Sequence, residues 1–146
     1  MQKAEATGDA AAAIQLNDGR IVTGKTSPLF GAPTACIINA IKALGGLHDR
    51  VPLLSPVIIE PVQRLKTETL GNHNPRLHVD EMLVALSISA ATNPTAEIAM
   101  SVIDKLKGAQ MHSTVILSEL DSGTIRKLGI NLTCEPVYRS KKLFHN

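Results

Sequence analysis

Residues 11–26 read Ala-Ala-Ala-Ile-Gln-Leu-Asn-Asp-Gly-Arg-Ile-Val-Thr-Gly-Lys-Thr. Two apolar segments, 11–16 and 20–23, flank the sequence Asn17-Asp18-Gly19. Asp-Gly between apolar segments is a strong hairpin signal, because the tight turn needs positive φ angles that Gly tolerates best. The stretch therefore predicts an N-terminal β-hairpin, from which the rest of the fold is built.

The same stretch matches a phosphate-binding motif. Residues 19–26, GRIVTGKT, fit the P-loop pattern G-x-x-x-x-G-K-[ST]. In a true P-loop the variable residues wrap the phosphates and a helix begins at the Lys-Thr pair. Here the variable residues are strand formers, Gly19 belongs to the turn, and Pro28 and Pro33 delay the next helix. We therefore interpret the match as part of the hairpin.

The loop that follows the hairpin keeps a narrower functional interpretation. Lys25, Thr26 and Ser27 precede a predicted helix, and their ammonium, hydroxyl and backbone groups are suited to binding an anion. The alternative is a solvated loop with an exposed lysine.

Helical and strand-like segments alternate along the rest of the chain. Gly and Pro punctuate them, and good capping residues such as Ser55 and Asn93 precede two of the helices. Pro61 either kinks the second helix or marks its true start. The pattern predicts an α/β fold, a three-layer α/β/α sandwich with a mixed sheet. The predicted helices are 34–44, 56–70, 79–91, 94–107 and 121–128, and the further strands are 51–55, 111–117 and 130–133.

Composition restricts the class of partner. The chain has 146 residues, a net charge of +2 and only 2% aromatic residues. A nucleic-acid partner is therefore not expected, because stacking platforms need aromatic side chains and a nucleic-acid footprint needs more charge. No apolar segment reaches the ~18 residues that a membrane span needs. The two cysteines, Cys36 and Cys134, form no C-x-x-C pair, which favours a reducing cytoplasmic location.

The chain divides into three parts. Residues 1–10 are small and polar and are interpreted as a linker or the end of a preceding segment. Residues 11–138 are predicted to form a single α/β domain, and residues 139–146 a basic C-terminal tail.

Several segments together resemble one bacterial family. They are DGRIVTGKTSPLFGAPTACIINAIK, LLSPVIIEPVQRLK, NPRLHVDEMLVALSISAATNPTAEIAM, HSTVIL and RKLGINLT, and they span most of residues 14–143. The chain resembles the C-terminal subdomain of the family called domain of unknown function 1846. Members of that family are much longer, so the resemblance implies a partner in cis, the remaining N-terminal region. The resemblance implies a fold and a place within a longer protein, but it implies no particular reaction.

The resemblance also implies a cytidine-deaminase-like topology, but without the zinc motif. Deaminases place a zinc-binding His or Cys and then a catalytic Glu at the first helix, and Pro-Cys-x-x-Cys at the second. Here Cys36 is followed two residues later by Ile38, and Val57 and Glu60 stand where the two cysteines would be. Zinc needs three protein ligands, so no metal, no cofactor and no deaminase activity are expected. What remains of the deaminase pattern is a cleft at which the N-termini of two helices meet, and such a position favours the binding of an anion.

Histidines are the other candidate site residues. His112 lies on a predicted strand and is the best acid–base candidate, although a structural, hydrogen-bonded histidine is the commoner case. His73 and His78 flank Asn74-Pro75-Arg76, a combination that can hold a phosphate or form an exposed loop.

Three hypotheses about function remain open. The first is a ligand-binding subdomain that takes a small anionic or nucleotide-like molecule at helix N-termini, with Lys25, Thr26, Ser27 and Ser55 contributing. The second is half of an enzyme active site, completed by the N-terminal region, with Lys25 and His112 as contributors. The third is a structural or oligomerisation module, in which the apolar helix 82–91 packs against a partner or against the missing N-terminal region; a homo-oligomer is one such possibility.

Overall fold

A four-stranded mixed β-sheet forms the centre of the fold in the computed structural model, which describes residues 11–135. The strand order is β2-β1-β3-β4. β1 is antiparallel to β2 and to β3, whereas β3 and β4 are parallel. The predicted α/β class and mixed sheet are confirmed. The strands are β1 (Ala11–Gln15), β2 (Ile21–Lys25), β3 (Gln110–Ser113) and β4 (Asn131–Cys134).

The hairpin forms where the sequence predicts it, and both glycines of the P-loop match have structural roles. Gly19 occupies the turn with a φ of +92°, a conformation that residues with a side chain rarely adopt. Gly24 lies in β2 against the next helix, and a Cβ there would stand 2.3 Å from the backbone N of Cys36. Residues 21–23 between them lie in strand β2, whereas the variable residues of a P-loop form a loop around the phosphates.

Five α-helices follow within the described residues, and each begins within two residues of its predicted start. Asn93 caps its helix through Oδ1, which accepts the N–H of Thr95 at 2.9 Å. Pro61 lies inside its helix without ending it. The helices are α1 (Ala32–Leu44), α2 (Pro56–Arg64, continued by a π-helical turn Leu65–Thr69), α3 (Val79–Ser89), α4 (Pro94–Val102, continued by a 3₁₀ turn Ile103–Leu106) and α5 (Glu119–Lys127).

The core lies between one face of the sheet and the helices. Ile14 of β1 and Met111 of β3 are directly opposite each other and almost fully buried. Every helix contributes to the same core cluster, with Ile37, Ile59, Met82, Ala96 and Ile125 as examples. Burial of these apolar side chains supplies the main driving force for folding.

The opposite face of the sheet carries a row of residues aligned by the strand register: Ala13, Thr23, His112 and Thr133. None of the four is buried. The predicted three-layer sandwich therefore shows one helical layer within residues 11–135, and the second layer stays a prediction.

Two predicted strands are wrong in whole or in part. Residues 51–55 form no strand, because Leu53 and Leu54 are both buried and turns flank them, so the alternation of a strand is lost. β3 ends at Ser113, whose Oγ accepts the N–H of Val115 at 3.2 Å and turns the chain out of the sheet. Residues 114–117 are therefore loop rather than strand.

The last helix begins earlier than predicted. Its cap is Ser118, whose Oγ accepts the N–H of Asp121 at 3.1 Å. The predicted start at residue 121 lies two residues inside the helix. This difference matters for the site, because it places Asp121 inside the first turn of α5.

Candidate functional site

A cavity of about 150 Å³ opens at the carboxyl end of β3. In open α/β sheets ligands bind outside the carboxyl ends of the strands. The cavity is surrounded by the first residues of α1 and α5, by the segment that leads into α3, and by the loop after β3. Its lining includes Thr34, Asn74, Arg76, His78, Ser118 and Asp121.

Hydrogen bonds to two other parts of the chain hold the backbone of residues 76–78 in place. Leu77 forms an isolated parallel bridge with Phe30, and its N–H donates to the carbonyl of Leu29 at 2.9 Å. Its own carbonyl accepts the buried Thr34 hydroxyl at 3.1 Å. The start of α1 thereby fixes the backbone between Arg76 and His78, so both side chains reach the cavity from a rigid support.

Asp121 links the starts of two helices. It is 7% exposed, and its Oδ1 accepts the backbone N–H of Val79 at 3.1 Å. Its Oδ2 lies 3.2 Å from Nδ1 of His78. A carboxylate at the N-terminus of a helix is favourable because the helix dipole and the unpaired N–H groups are positive there.

The pair perturbs the titration of both groups. The hydrogen bond to Asp121 raises the pKa of His78 above its ordinary value of 6.5, against the opposing effect of partial burial. For Asp121, burial disfavours ionisation, but the hydrogen bonds from His78 and from the Val79 N–H outweigh it and lower its pKa below 3.8. Asp121 is therefore a carboxylate at neutral pH, and His78 is readily protonated beside it.

Arg76 brings a second cation to the cavity. Its Nε donates to the carbonyl of Ser27 at 2.6 Å, which anchors the guanidinium group. Among residues 11–135, no carboxylate lies within 4.0 Å of it. An anchored guanidinium without an acidic partner is suited to binding an anion through its remaining N–H donors.

An ion pair between a buried lysine and a half-buried glutamate supports this segment from behind. Lys66, 3% exposed, donates to Oε1 of Glu81 at 2.8 Å and to the carbonyl of Arg76 at 2.5 Å. The same Glu81 oxygen accepts the backbone N–H of His78 at 2.8 Å. Glu81 lies in the first turn of α3 and thus helps to position the residues of the cavity.

The three loop residues predicted to bind an anion, Lys25, Thr26 and Ser27, have different surroundings in the structure. Lys25 is exposed at the end of β2, and Thr26 is half-buried. Ser27 Oγ accepts the N–H groups of Leu29 and Phe30, at 3.3 and 3.1 Å. The carbonyl of Ser27 also accepts the Nε–H of Arg76, and this hydrogen bond connects the predicted loop to the cavity.

Ser55, the fourth predicted anion ligand, does not line this cavity. It lines a second cavity of about 350 Å³ between the starts of α2 and α4, together with Ser89, Thr92 and Asn93. The first cavity is bordered by the starts of α1 and α5 and by the segment that leads into α3. Ser55, at the start of α2, is not among the residues that line it.

His112 lies on the sheet face away from the core. Its Nδ1 is 2.7 Å from the Thr133 hydroxyl and its Nε2 is 2.7 Å from a Glu135 carboxylate oxygen. Both ring nitrogens thus have partners. His73 is exposed and does not line the cavity, whereas Asn74 does.

Sequence reasoning missed Thr34, Ser118 and Asp121. The pattern Ser118-Glu-Leu-Asp121 fits the [ST]-x-x-[DE] signature of a helix start and would have identified the cap. No sequence signal reveals that Asp121 binds the start of another helix 42 residues away.

The described part of the chain offers neither a clustered metal site nor a helix able to span a membrane. No group of three or more His, Cys, Asp or Glu side chains within residues 11–135 is arranged to hold a metal ion. None of the helices described there has the length and apolar character needed to cross a membrane.

The fold and the cavity define an α/β domain with a cavity at the starts of three helices, bordered by the polar side chains of Arg76, His78 and Asp121. Residues 1–144 match the family model described as "Domain of unknown function DUF1846, C-terminal", and the chain belongs to that family. The resemblance drawn from the sequence is thereby confirmed.

Curated relatives carry the name UPF0371 protein. One from Streptococcus pyogenes serotype M5 (strain Manfredo) is 52% identical over 143 residues, which is 98% of this chain and 29% of the relative. One from Corynebacterium glutamicum (strain R) is 51% identical over 140 residues, 96% of this chain and 28% of the relative. The chain thus spans less than a third of the length of these relatives and corresponds to a C-terminal part of a larger protein.

Proposed function

We propose that this domain binds a small anion, or the anionic end of a larger molecule, in the cavity bordered by Arg76 and His78. The observation that carries the proposal is the Arg76 guanidinium, anchored on the Ser27 carbonyl and without an acidic partner in the described residues. Buried or half-buried cations are normally paired. An anionic ligand would supply the missing partner.

The helix starts support the same proposal. The first N–H groups of a helix have no partner within it, and the positive end of the helix dipole adds to their effect. The α1 cap, Gly31, has no side chain to satisfy these donors, and it lines the cavity. The start of α5 borders the cavity from the other side.

The volume of the cavity limits the size of the ligand that it can enclose. Its volume of about 150 Å³ is below the roughly 300–1,000 Å³ of pockets that enclose drug-sized ligands. A whole nucleotide would not be enclosed. An inorganic anion, a small metabolite or the phosphate end of a nucleotide-like molecule fits better.

The test is the affinity of the chain for inorganic phosphate, measured by NMR chemical-shift titration. Arg76→Gln should weaken binding about tenfold or more, because a hydrogen bond to a charged group contributes roughly 1.5–3 kcal/mol. Arg50→Gln is the matched control, since Arg50 is an exposed arginine that does not line the cavity. Equal affinities of the two variants would refute the proposal.

Lys25→Ala distinguishes the two candidate anion sites. If Lys25→Ala abolishes phosphate binding while Arg76→Gln leaves it unchanged, the anion lies at the loop of Lys25, Thr26 and Ser27 instead.

The His78–Asp121 pair favours a second candidate function, half of an active site completed by the remainder of the longer protein. An imidazole oriented through Nδ1 by a carboxylate, with Nε2 towards a cavity, is the arrangement of a general acid or base. The test is the turnover of candidate phosphate esters by the longer protein. His78→Gln should remove it, and the control His73→Gln should not.

The cytidine-deaminase-like topology belongs to the proposal as well. The antiparallel hairpin followed by α1, and the parallel pair β3 and β4 joined through α5, support it. A second helical layer on the face of Ala13 and His112 is the corresponding expectation for the complete protein. An experimental structure of the longer protein would test both.

A further inference from the structure

We propose that His78 is the second cationic ligand of the anion, and that the site takes a phosphate group in its doubly charged form only while the imidazole carries its proton. This inference rests on the proposed function and adds the ligand class and its regulation by pH.

The geometry assigns the two ring nitrogens different tasks. Nδ1 lies 3.2 Å from Oδ2 of Asp121, and a carboxylate only accepts, so Nδ1 carries a hydrogen. Nε2, on the far side of the ring from this contact, is the nitrogen left to meet a ligand in the cavity that His78 lines. Neutral Nε2 presents a lone pair, which repels the oxygen of an anion. Protonated Nε2 presents an N–H donor, which binds it.

The charges around His78 make this one proton decisive. Asp121 faces it from α5, Glu81 from α3, Lys66 from the π-helical turn after α2, and Arg76 from its own loop. The Lys66–Glu81 pair is neutral as a unit, at 2.8 Å. The charges of Asp121 and Arg76 also offset each other. The protonation of His78 therefore decides whether the group as a whole is neutral or carries one positive charge.

The arrangement of the donors suits a tetrahedral dianion better than a carboxylate. Arg76 and protonated His78 belong to one segment, two residues apart, and the starts of α1 and α5 border the same cavity. A phosphate group has three or more oxygens to distribute among these donors and carries about two charges at neutral pH. A carboxylate has two oxygens and one charge.

The experiment is an NMR titration of the chain with inorganic phosphate and, separately, with sulfate between pH 5.5 and 8.5. Sulfate keeps both charges over this range, so any change in its affinity reports on the protein. We expect the affinity of the wild type for sulfate to fall about tenfold from the lower to the higher pH, the effect of losing one charged hydrogen bond. His78→Gln should bind weakly and without pH dependence, and the control His73→Gln should behave as the wild type.

A second measurement does not depend on a variant that folds. Because coupling between proton and anion is reciprocal, saturating sulfate should raise the pKa of His78, read from its imidazole resonances in the wild type. An unchanged pKa, or a His78→Gln variant with the pH profile of the wild type, would overturn the inference while leaving anion binding intact. A wild type that binds neither anion at any pH would refute the proposed function itself.

Discussion

The carboxylate of Asp121 accepts the backbone N–H of Val79 at 3.1 Å, so that one side chain joins the starts of α5 and α3. Both groups are buried. The contact satisfies a donor that α3 cannot satisfy internally, and it places the carboxylate beside His78. One residue thus contributes to the stability of the fold and to the electrostatics of the cavity.

We predict that Asp121→Ala lowers the free energy of unfolding by about 1–3 kcal/mol, because it leaves the Val79 N–H without a partner. The measurement is chemical denaturation followed by circular dichroism. Glu119→Ala is the matched control, as it removes an exposed carboxylate from the same first turn. Equal effects of the two substitutions would show that only the helix dipole is involved.

The His78–Asp121 pair predicts a pH window of extra stability. His78 has a raised pKa in the folded chain, so its contribution is complete below its ordinary value of 6.5 and is lost as the pH rises through the folded pKa. Asp121 has a lowered pKa, so its contribution is present above 3.8 and is lost as the pH falls through the folded pKa. The stability difference between wild type and His78→Gln should therefore be largest between these two values. Denaturation at pH 4.5, 6 and 8.5 tests this, and an equal difference at all three would contradict it.

The close packing at Gly24 predicts that one added methyl group will strongly destabilise the fold. A Cβ at this position would stand 2.3 Å from the N and 2.6 Å from the Cα of Cys36, and backbone atoms cannot rotate away. Gly24→Ala should destabilise the chain by about 1–3 kcal/mol or more. Gly123→Ala is the control, because no atom lies within 4 Å of its Cβ and the position is helical. That change should be stabilising by up to about 1 kcal/mol. Thermal denaturation of both variants checks the two signs.

The buried ammonium of Lys66 predicts a further effect on stability. Lys66→Met removes the donor to the Glu81 carboxylate and to the Arg76 carbonyl and should cost about 1–3 kcal/mol. Lys127→Met removes a lysine that lies outside these contacts, in the last turn of α5, and should cost little. If Lys66→Met also weakens phosphate binding while the variant remains folded, the pair positions the segment of Arg76 and His78 as well as stabilising it.

Local sequence signals predicted most of the elements. The Asp-Gly turn, the prolines at helix starts and the glycines after helices act within a few residues, so their effect is visible without tertiary structure. The strand predicted at 51–55 was wrong because a strand requires a neighbour to pair with, and a short apolar segment can instead be buried by packing alone. The extension of β3 beyond Ser113 was wrong for a related reason, since side-chain hydrogen bonds at Ser113 and Thr114 end the ladder there.

The site depended on distant contacts. Arg76 and His78 could be proposed from their own segment, because a histidine and an arginine so close together suggest an anion. That His73 lies outside the cavity, and that both nitrogens of His112 have partners, could not be inferred from spacing.

The sequence alone was enough to predict the hairpin, the class of the fold, the family and the failure of the P-loop context, because turn chemistry and capping are local properties of the chain. That Asp121 meets His78 and that Arg76 rests on the carbonyl of Ser27 is visible only in the folded chain. These pairs are 43 and 49 residues apart, and packing of the helices on the sheet brings them together. The charge of a site depends on such distances, so its chemistry follows from the fold and cannot be read from the order of the residues.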